Sequence, residues 1–413
     1  MLRASTLYIV IVISLILSVF CSALIASAYY YRLALIDRNL EERLAANLYS
    51  AANLVLMTNR SGENEFIDLY GQGTDSIVSS ASRWGLYKKF SVQSFSGRKR
   101  LRKSFLAGYP LKDKFASALY IADLNRPISV CGSTHLKGEC YLPKAGVQRA
   151  YIAGKSFLGD KLVDGQILQS TPYLPELHGK EQLGELFSQQ PACKVMDFSD
   201  LDLDQPLINS YNDSAIFIRS AFPIRLSSDI SGHVIVYSEA EVHISASARL
   251  KDIIVVAPYI AIADQFEGSI QVFASDSIRL GKGAHLQYPS AIVLRQRESP
   301  LGNSAVLLEQ DSECSGLVMA VRQKETQYEC TIKLKPGSRV HGQVYSEGYA
   351  DIEGTIAGNL TTQKIIFKNP NSTYVNHFMD AKIDYSLLSP YFAGSAMGAD
   401  SSGGGLRIIK WLE

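Results

Sequence analysis

The sequence predicts a mainly β protein: a parallel β-helix of about 18 residues per coil, behind an N-terminal transmembrane and stalk helix and a small α/β segment. Three observations predict this fold class. Residues 4–31 carry no charged side chain. Short apolar runs alternate with Gly, Ser, Asp and Asn between residues 118 and 367. Within that stretch, apolar residues recur about every 18 residues, which is the predicted length of one coil.

The predicted domain boundaries follow these changes of pattern. We expect a transmembrane anchor (1–31), a stalk helix (32–60), a small α/β segment (61–117), a parallel β-helix (118–375) with insertions near 171–214 and 295–328, and a C-terminal tail with a final strand (376–413).

The composition excludes some classes of protein. The chain has 413 residues, of which 46% are hydrophobic, so it is able to bury a sizeable core and is not a disordered protein. Its 41 basic and 40 acidic residues leave a formal charge of +1. A nucleic-acid binder usually carries a basic excess, so no nucleic-acid partner is predicted.

The anchor is predicted from length. The run Leu7–Ile25 is apolar apart from small hydroxyls and one tyrosine, and about 20 residues at about 1.5 Å each cross a hydrocarbon layer of about 30 Å. Ala26–Ala28 resembles a signal-peptidase site, which makes a cleaved signal the alternative. The run exceeds the usual apolar length of a signal peptide, which favours an uncleaved anchor and a lipid bilayer as partner of residues 4–31.

The helical pattern continues past the anchor. Leucines lie among alanines and charged residues from Tyr29 to Met57, and neither proline nor glycine interrupts this stretch. The pattern predicts one long helix that ends near Asn59–Gly62.

Two features of the sequence bear on the cellular compartment of the protein, and they disagree. The basic residues after the anchor slightly favour a cytoplasmic body. The spacing of Cys131 with Cys140, and of Cys314 with Cys330, suggests two disulfides with Cys193 left over, and disulfides need an oxidising compartment. We therefore expect a single-pass bacterial inner-membrane protein with a periplasmic or extracellular body. Buried reduced thiols are the alternative.

The N-terminal region resembles the minor pilins. The residues that carry the resemblance are Glu41-Glu42-Arg43, Ala45-Ala46 and Ala51-Ala52, which follow the apolar segment. The sequence departs from the pilin pattern in two respects: no glycine precedes the apolar segment, and no glutamate lies near its start. A single-pass anchor with an alanine-rich stalk is the alternative.

A repeat in the middle of the chain predicts the core of the β-helix. Pairs of apolar residues, two positions apart, recur there once in every predicted coil. A second set of apolar residues, Val236, Ile254 and Val272, repeats with the same period. Because side chains alternate in and out along a strand, each pair points inward and stacks on the next. The predicted core ladder comprises Val242, Ile244, Ile260, Ile262, Ile278 and Leu280.

Residues 352–360 (IEGTIAGNL) match a phrase that recurs in the coils of the bactofilins. The period extends this resemblance to about Ser231–Lys368. The resemblance implies nucleotide-free, end-to-end assembly of β-helices. This chain departs from that family in its large N-terminal part, its predicted disulfides and its loops between coils.

A hairpin is predicted within the α/β segment. Trp84–Ser94 and Leu101–Tyr109 are typical of strands joined by a turn. The basic run Arg98–Lys103 at this turn either binds acidic lipid headgroups or polyanions, or is a solvated, charged strand edge. The apolar run Leu406–Leu412 is predicted to pair with an open sheet edge of its own chain or, alternatively, of a partner.

The sequence contains no clear catalytic or cofactor motif. Its seven histidines have no metal-ligand spacing, and nucleotide-binding and hydrolase motifs are absent. The run Asp197, Asp200, Asp202 and Asp204 is a weak calcium candidate, with a solvated acidic loop as the alternative. No cofactor or small-molecule substrate is predicted.

These observations predict a membrane-anchored, non-catalytic scaffold or assembly subunit of the bacterial cell envelope, which uses its β-helix to associate with itself or with protein partners. The first alternative is a minor-pilin-like component of a pilus or secretion machine. The second is a carbohydrate-active β-helix enzyme, for which the candidate groups are Asp252, Asp264, Glu267 and Asp276.

Overall fold

A computed structural model of the chain describes residues 2–58, 68, 71, 76–184, 194–202, 204–298, 300, 302–323, 327–395, 397 and 405–412. Cys193 lies outside the described residues. By contacts, the chain divides into two units. The first comprises Met1–Val55, Arg60–Ser80 and Ser91–Lys103, and the second comprises Leu56–Asn59, Ala81–Phe90 and Ser104–Glu413.

The described residues form one α-helix, α1 (Leu2–Thr58), thirty β-strands and four short 3-10 helices. The 3-10 helices are Asp113–Ala116, Lys180–Leu183, Phe198–Asp200 and Tyr385–Leu387. In chain order the strands are β1 (Ser76–Trp84), β2 (Tyr87–Ser96), β3 (Lys99–Gly108), β4 (Leu119–Ile121), β5 (Ile128–Cys131), β6 (His135–Lys137), β7 (Cys140–Leu142), β8 (Val147–Arg149), β9 (Tyr151–Ile152), β10 (Lys155–Ser156), β11 (Ile167–Gln169), β12 (Lys194–Asp197), β13 (Leu207–Asn209), β14 (Ile216–Ser220), β15 (Ile224–Leu226), β16 (Asp229–Gly232), β17 (Val234–Ser238), β18 (Glu241–Ile244), β19 (Arg249–Ile262), β20 (Glu267–Leu280), β21 (His285–Gln296), β22 (Ser304–Leu308), β23 (Glu313–Arg322), β24 (Cys330–Leu334), β25 (Arg339–Ile352), β26 (Thr355–Lys368), β27 (Thr373–Val375), β28 (His377–Met379), β29 (Lys382–Asp384) and β30 (Arg407–Leu412).

Helix α1 runs without a break through the anchor and the stalk, as the sequence predicts. Its 57 residues correspond to about 86 Å at about 1.5 Å per residue. The helix is long and apolar enough to cross a membrane. It contains neither proline nor glycine, the two residues that most strongly break a helix.

The predicted hairpin belongs to a sheet of four strands, ordered β1-β2-β3-β30. Strands β2 and β3 correspond to the two predicted strands, whereas β1 was not predicted. The last strand, β30, pairs antiparallel with β3, so that Leu412 lies opposite Ser104. The chain thus closes its own sheet edge with its last residues.

Most strands from β4 onward belong to one parallel sheet that closes on itself. In its regular part, Val242 pairs with Ile260, and Ile260 pairs with Ile278. Residues that face each other on neighbouring strands are thus separated by one period of the sequence repeat. Ile244, Ile262 and Leu280 pair in the same way. All six side chains are buried in one continuous aliphatic core.

Further along, the register steps lengthen. Ile278 pairs with Val306, and Val306 pairs with Ile332, and both steps are longer than those of the regular part. The stretch 295–328, predicted as an insertion, therefore contributes β22 and β23 to the sheet. Likewise β12 and β13, within the predicted insertion 171–214, pair in parallel with β14 and β16. The additional residues fall between the strands in the sequence, so they interrupt the period without interrupting the sheet.

The sheet does not follow chain order at one point. Strand β4 pairs with β26, so that Leu119 lies opposite Leu360. The buried Asn359 side chain donates a hydrogen bond to the Ser117 carbonyl at 2.8 Å, and the Ala118 carbonyl accepts from the Leu360 amide at 2.9 Å. The first strands after the hairpin thus cover the edge that the C-terminal strands would otherwise expose.

A stack of glycines crosses three neighbouring strands. Gly316 pairs with Gly342, and Gly342 pairs with Gly358. Their φ angles are 142°, 150° and 150°. A Cβ at Gly342 would collide with the Gly316 carbonyl oxygen and would approach the Phe392 ring at 3.0 Å. Glycine is required here because strand backbones approach closely at positive φ.

The predicted disulfides are not formed. Cys131, Cys140, Cys314 and Cys330 are free and buried. Cys314 lies opposite Val340 and Cys330 lies opposite Ser304, in separate strand pairs. Burial raises the pKa of the Cys140, Cys314 and Cys330 thiols to about 12, which keeps them protonated. They pack as small apolar side chains, so sequence spacing was misleading and the cysteines give no argument for an oxidising compartment.

Candidate functional site

The N-terminal half of α1 exposes a large apolar surface. Side chains along it, such as Leu15 and Phe20, are more than 60% exposed. Tyr8 lies near one end of this surface and Tyr29–Tyr31 at the other, all of them exposed. Tyrosines are enriched at the two interfaces of a membrane with water, so these positions fit the edges of a membrane span.

The C-terminal half of the helix buries one stripe. Leu44, Leu48, Ala51, Ala52 and Val55 are buried, at intervals that place them on one face of a helix. Helix α1 thus combines an exposed apolar half with a half that is packed as part of a folded body.

An ionic contact joins the hairpin tip to α1 within the first unit. Lys99 Nζ lies 2.9 Å from Glu41 Oε1 and also pairs with Asp37. The hydrogen bonds that Lys99 donates to Asp37 and, second, to Glu41 raise the pKa of Lys99, so its ammonium stays charged. Lys103 Nζ donates to the Tyr49 hydroxyl at 3.2 Å. The basic run of the hairpin is therefore partly paired with the helix.

Within the second unit, Asp252 is a hydrogen-bonding centre that we call the junction. Asp252 has a φ of 63°, and its side chain is 8% exposed. Its carbonyl accepts from Trp84 Nε1 at 3.1 Å and from the Tyr211 hydroxyl. Its carboxylate pairs with Lys410 Nζ at 2.8 Å and accepts from Ser269 Oγ at 3.0 Å. The junction thus ties the β1 end and the last strand to β19 of the parallel sheet.

A second contact supports the turn between β1 and β2. The buried Gln271 side chain accepts from the Leu86 amide at 2.9 Å and donates to the Trp84 carbonyl at 3.2 Å. Gly85 between them has a φ of 60°, and a Cβ there would collide with the Gln271 amide. Glycine at this position adopts the positive φ without strain and leaves room for the Gln271 amide against the turn.

His233 lies beside the junction as a neutral base. Its ring lies 4.7 Å from Trp84 and 5.0 Å from Tyr211, centroid to centroid. Lys89 Nζ is 3.1 Å from Nε2, and the Asp213 carbonyl oxygen is 2.9 Å from Nδ1. Burial, and then the charge of Lys89, lower the pKa of His233 from 6.5 to about 4. Neutral His233 can therefore accept from Lys89 and donate to Asp213.

Acid is expected to destabilise the protein through His233. The pKa of His233 is lower in the folded state than in the unfolded chain, so the folded state disfavours protonation of this residue. Its contribution to the free energy of unfolding, at most about 3 kcal/mol, is therefore complete above about pH 6.5 and is lost as the pH falls towards about 4. His233→Gln should remove this part of the pH dependence, measured as thermal stability at about pH 7.5 and about pH 5. The matched control is the exposed His135→Gln, which should leave the wild-type slope. Equal slopes in both variants and the wild type would rule out His233 as the source.

The predicted calcium residues do not form a site among the described residues. Asp197 pairs with Arg219 at 2.9 Å, and Asp202 accepts from the Asp204 amide at 3.1 Å. Asp200 accepts from the Ser199 hydroxyl at 3.5 Å. In the part of the chain that the structure describes, no three His, Cys, Asp or Glu side chains are grouped so as to hold a metal ion.

The carboxylates suggested for an enzyme are mostly paired with basic groups. Asp276 pairs with Arg297 at 2.6 Å, and Asp264 lies 3.8 Å from Arg279. Asp252 belongs to the junction. Glu267 lines an open groove of about 960 Å³ that Arg249 and Lys251 also line.

Sequence reasoning missed a buried acid. Asp351 is 2% exposed; one carboxylate oxygen pairs with Lys333 Nζ at 2.6 Å and the other has no hydrogen-bond partner. Burial raises the pKa of Asp351, and burial followed by the nearby Asp351 charge raises the pKa of Glu353. The sequence signal was a charged residue between Ala350 and Ile352 in an otherwise regular strand.

Sequence reasoning also missed the junction. Asp252 interrupts the apolar repeat directly before Ile253, which was its one visible signal. Its partners Trp84, Tyr211 and Lys410 lie far away in the sequence and share no period with it.

The comparisons with known proteins give one match. No family model matches this chain, and no curated protein matches it. Among solved structures, the chain is similar to the crystal structure of competence-associated pilin ComZ from Thermus thermophilus. Sequence identity is 10%, the TM-score is 0.23, and the alignment covers 85% of this chain and 87% of that chain. A TM-score of this size does not establish a shared fold. The resemblance to bactofilins gains no support from these comparisons.

Proposed function

We propose that this chain is a membrane-anchored, non-catalytic structural subunit of an assembly in the bacterial cell envelope, with an N-terminal part that works as in a minor pilin. The observation that carries the proposal is the division of α1. Its N-terminal half exposes apolar side chains, whereas the stripe from Leu44 to Val55 is buried. Lipid, or the helices of neighbouring subunits, would stabilise the exposed half.

In this proposal the parallel sheet is a β-helix of about 18 residues per coil in its regular part. The constant register step of that part supports it, because the pairs Val242 with Ile260 and Ile260 with Ile278 advance by one such coil each. The β-helix would be the part of the subunit that meets other copies or protein partners, because solenoids present long, rigid surfaces.

A non-catalytic role is consistent with the carboxylates. Asp264 and Asp276 each lie beside an arginine, and Asp252 serves the junction. Such pairing occupies the carboxylates with neighbouring cations, whereas a general acid or base must be within reach of the proton that it transfers.

Membrane integration tests the anchor. We expect the full chain to remain in the membrane pellet after alkaline carbonate extraction. Val12→Arg with Ile16→Arg should release it or prevent its accumulation, because each arginine at the centre of a span costs about 2.5–3.5 kcal/mol. The matched control is Leu33→Arg with Leu35→Arg, which changes exposed apolar residues of α1 beyond Tyr31. A wild-type chain that is soluble after extraction would overturn the proposal.

The orientation of the chain across the membrane is tested in the same cells. In the proposal the body lies in the periplasm, as in the minor pilins. Protease added to spheroplasts should then digest residues after Tyr31 while leaving cytoplasmic marker proteins intact. Digestion only after cell lysis would place the body in the cytoplasm and would contradict the pilin-like function.

A further inference from the structure

The tyrosines of α1 define where a membrane surface would lie, given the anchor in the proposed function. The helix between Tyr8 and Tyr29 is about 32 Å long, at about 1.5 Å per residue. This length matches a hydrocarbon layer of about 30 Å. Tyr29, Tyr30 and Tyr31 are exposed, and Arg32 follows directly. The membrane–water boundary therefore falls at this tyrosine cluster.

The ionic contact of Lys99 sets the height of the hairpin tip above that boundary. Asp37 and Glu41, its two partners, follow Tyr31 by six and ten residues. Along a helix these separations correspond to about 9 Å and about 15 Å. The nearer of these two separations is comparable to the Debye length of about 8–10 Å, so the charge of a membrane surface is only partly screened at that height.

The hairpin tip carries a concentrated positive charge. Arg98, Lys99, Arg100, Arg102 and Lys103 lie within six residues. The helix segment 32–43 beside them has three basic and three acidic residues, so it contributes no net charge. The charge of the hairpin tip is therefore not cancelled by its neighbour.

Two of these arginines are available to a ligand. Arg98 and Arg100 are exposed, and within the part of the chain that the structure describes neither forms an ion pair. By contrast, Lys99 is held by its two acids, and Arg102 Nε donates to Ser91 Oγ at 2.8 Å. Both free arginines flank Lys99, so the contact that positions the hairpin also positions them.

We propose that Arg98 and Arg100 form a docking surface for the phosphate groups of anionic phospholipids in the leaflet next to Tyr31. A guanidinium binds a phosphate through paired N–H donors. Docking would give the anchored chain a second attachment to the membrane and would fix the hairpin against it. The inference rests on the membrane anchor of the proposed function.

The test uses the full chain in phosphatidylcholine bilayers that contain spin-labelled phosphatidylglycerol or spin-labelled phosphatidylcholine. The motionally restricted fraction of each label measures its association with the protein. We expect phosphatidylglycerol to be preferred, and Arg98→Gln with Arg100→Gln to reduce that preference by about two- to fivefold. The control Arg225→Gln with Arg339→Gln removes the same charge from exposed arginines of the parallel sheet and should leave the preference unchanged.

Each outcome has one meaning. The absence of a restricted fraction for either lipid would show that the anchor itself is wrong. A restricted fraction whose preference is unchanged in the hairpin variant, or is reduced equally in the control, would overturn the docking surface. Loss of the preference on adding inorganic phosphate, but not on adding chloride at equal ionic strength, would assign the arginines to free phosphate and would also overturn it.

Discussion

Asp252→Ala is expected to lower the free energy of unfolding by about 3–5 kcal/mol, the usual cost of removing one partner from a buried ion pair. The substitution leaves Lys410 Nζ and Ser269 Oγ without their acceptor. It also places alanine at a φ of 63°, which favours residues such as asparagine and glycine. Thermal unfolding of the full chain should show the loss.

Two further substitutions separate the causes at Asp252. Asp252→Asn keeps the size and tolerates the positive φ, so we expect a smaller loss that reports the charge alone. Asp229→Ala removes a more exposed acid, 4.0 Å from Arg249, and should cost less than about 1 kcal/mol. If Asp252→Ala destabilises the chain no more than Asp229→Ala does, Asp252 does not hold the junction.

The junction also predicts a local signal. The chain contains two tryptophans, Trp84 and Trp411. In a Trp411→Phe background, the emission of Trp84 should shift to longer wavelength with Asp252→Ala, because its indole loses cover as the junction loosens. An unchanged spectrum together with reduced stability would place the damage elsewhere in the parallel sheet.

Gly342→Ala is expected to be nearly as damaging, with a loss of about 3–5 kcal/mol from backbone strain and overpacking together. The new methyl group would meet the Gly316 carbonyl, which belongs to the paired backbone and cannot rotate away as a side chain can. Gly358 makes the same close contact with the Gly342 carbonyl on the next strand. The strand that carries Gly342 therefore cannot shift to relieve the strain. Thermal unfolding is again the measurement.

The control for this substitution is Gly302→Ala. A Cβ at Gly302 has no atom within 4 Å, and its φ is not in the positive region. We expect a change within about 0.5 kcal/mol, as at most surface positions. Equal stability of the two variants would show that the glycine stack is not needed for close strand approach.

The elements that the sequence predicted are those with a repeating or local cause. Helix α1 was predictable because 57 residues lack a helix breaker. The pairing of Val242, Ile260 and Ile278 follows a period that is visible without a structure. Strands β2 and β3 were predictable within a few residues because a turn and apolar alternation mark them.

The elements that were not predicted depend on single contacts between distant residues. No period links Leu119 with Leu360, or Asp252 with Lys410. Cysteine spacing also gave the wrong pairing, because it contains no information about the strand pair on which a side chain lies. Cys314 and Cys330 are close in sequence but occupy separate strand pairs of the core.

The pairing of β4 with β26 has a consequence for how the chain is made. Asn359 and Ser117, which contact each other at this point, are 242 residues apart. A chain that emerges from the ribosome or crosses a membrane from its N-terminus presents β4 long before its partner strand exists. Non-local pairing of this kind slows folding and leaves strand edges exposed while it is incomplete. The β4 edge therefore stays unpaired until β26 has been made, and any need for a chaperone at this edge should be greatest between the synthesis of β4 and that of β26.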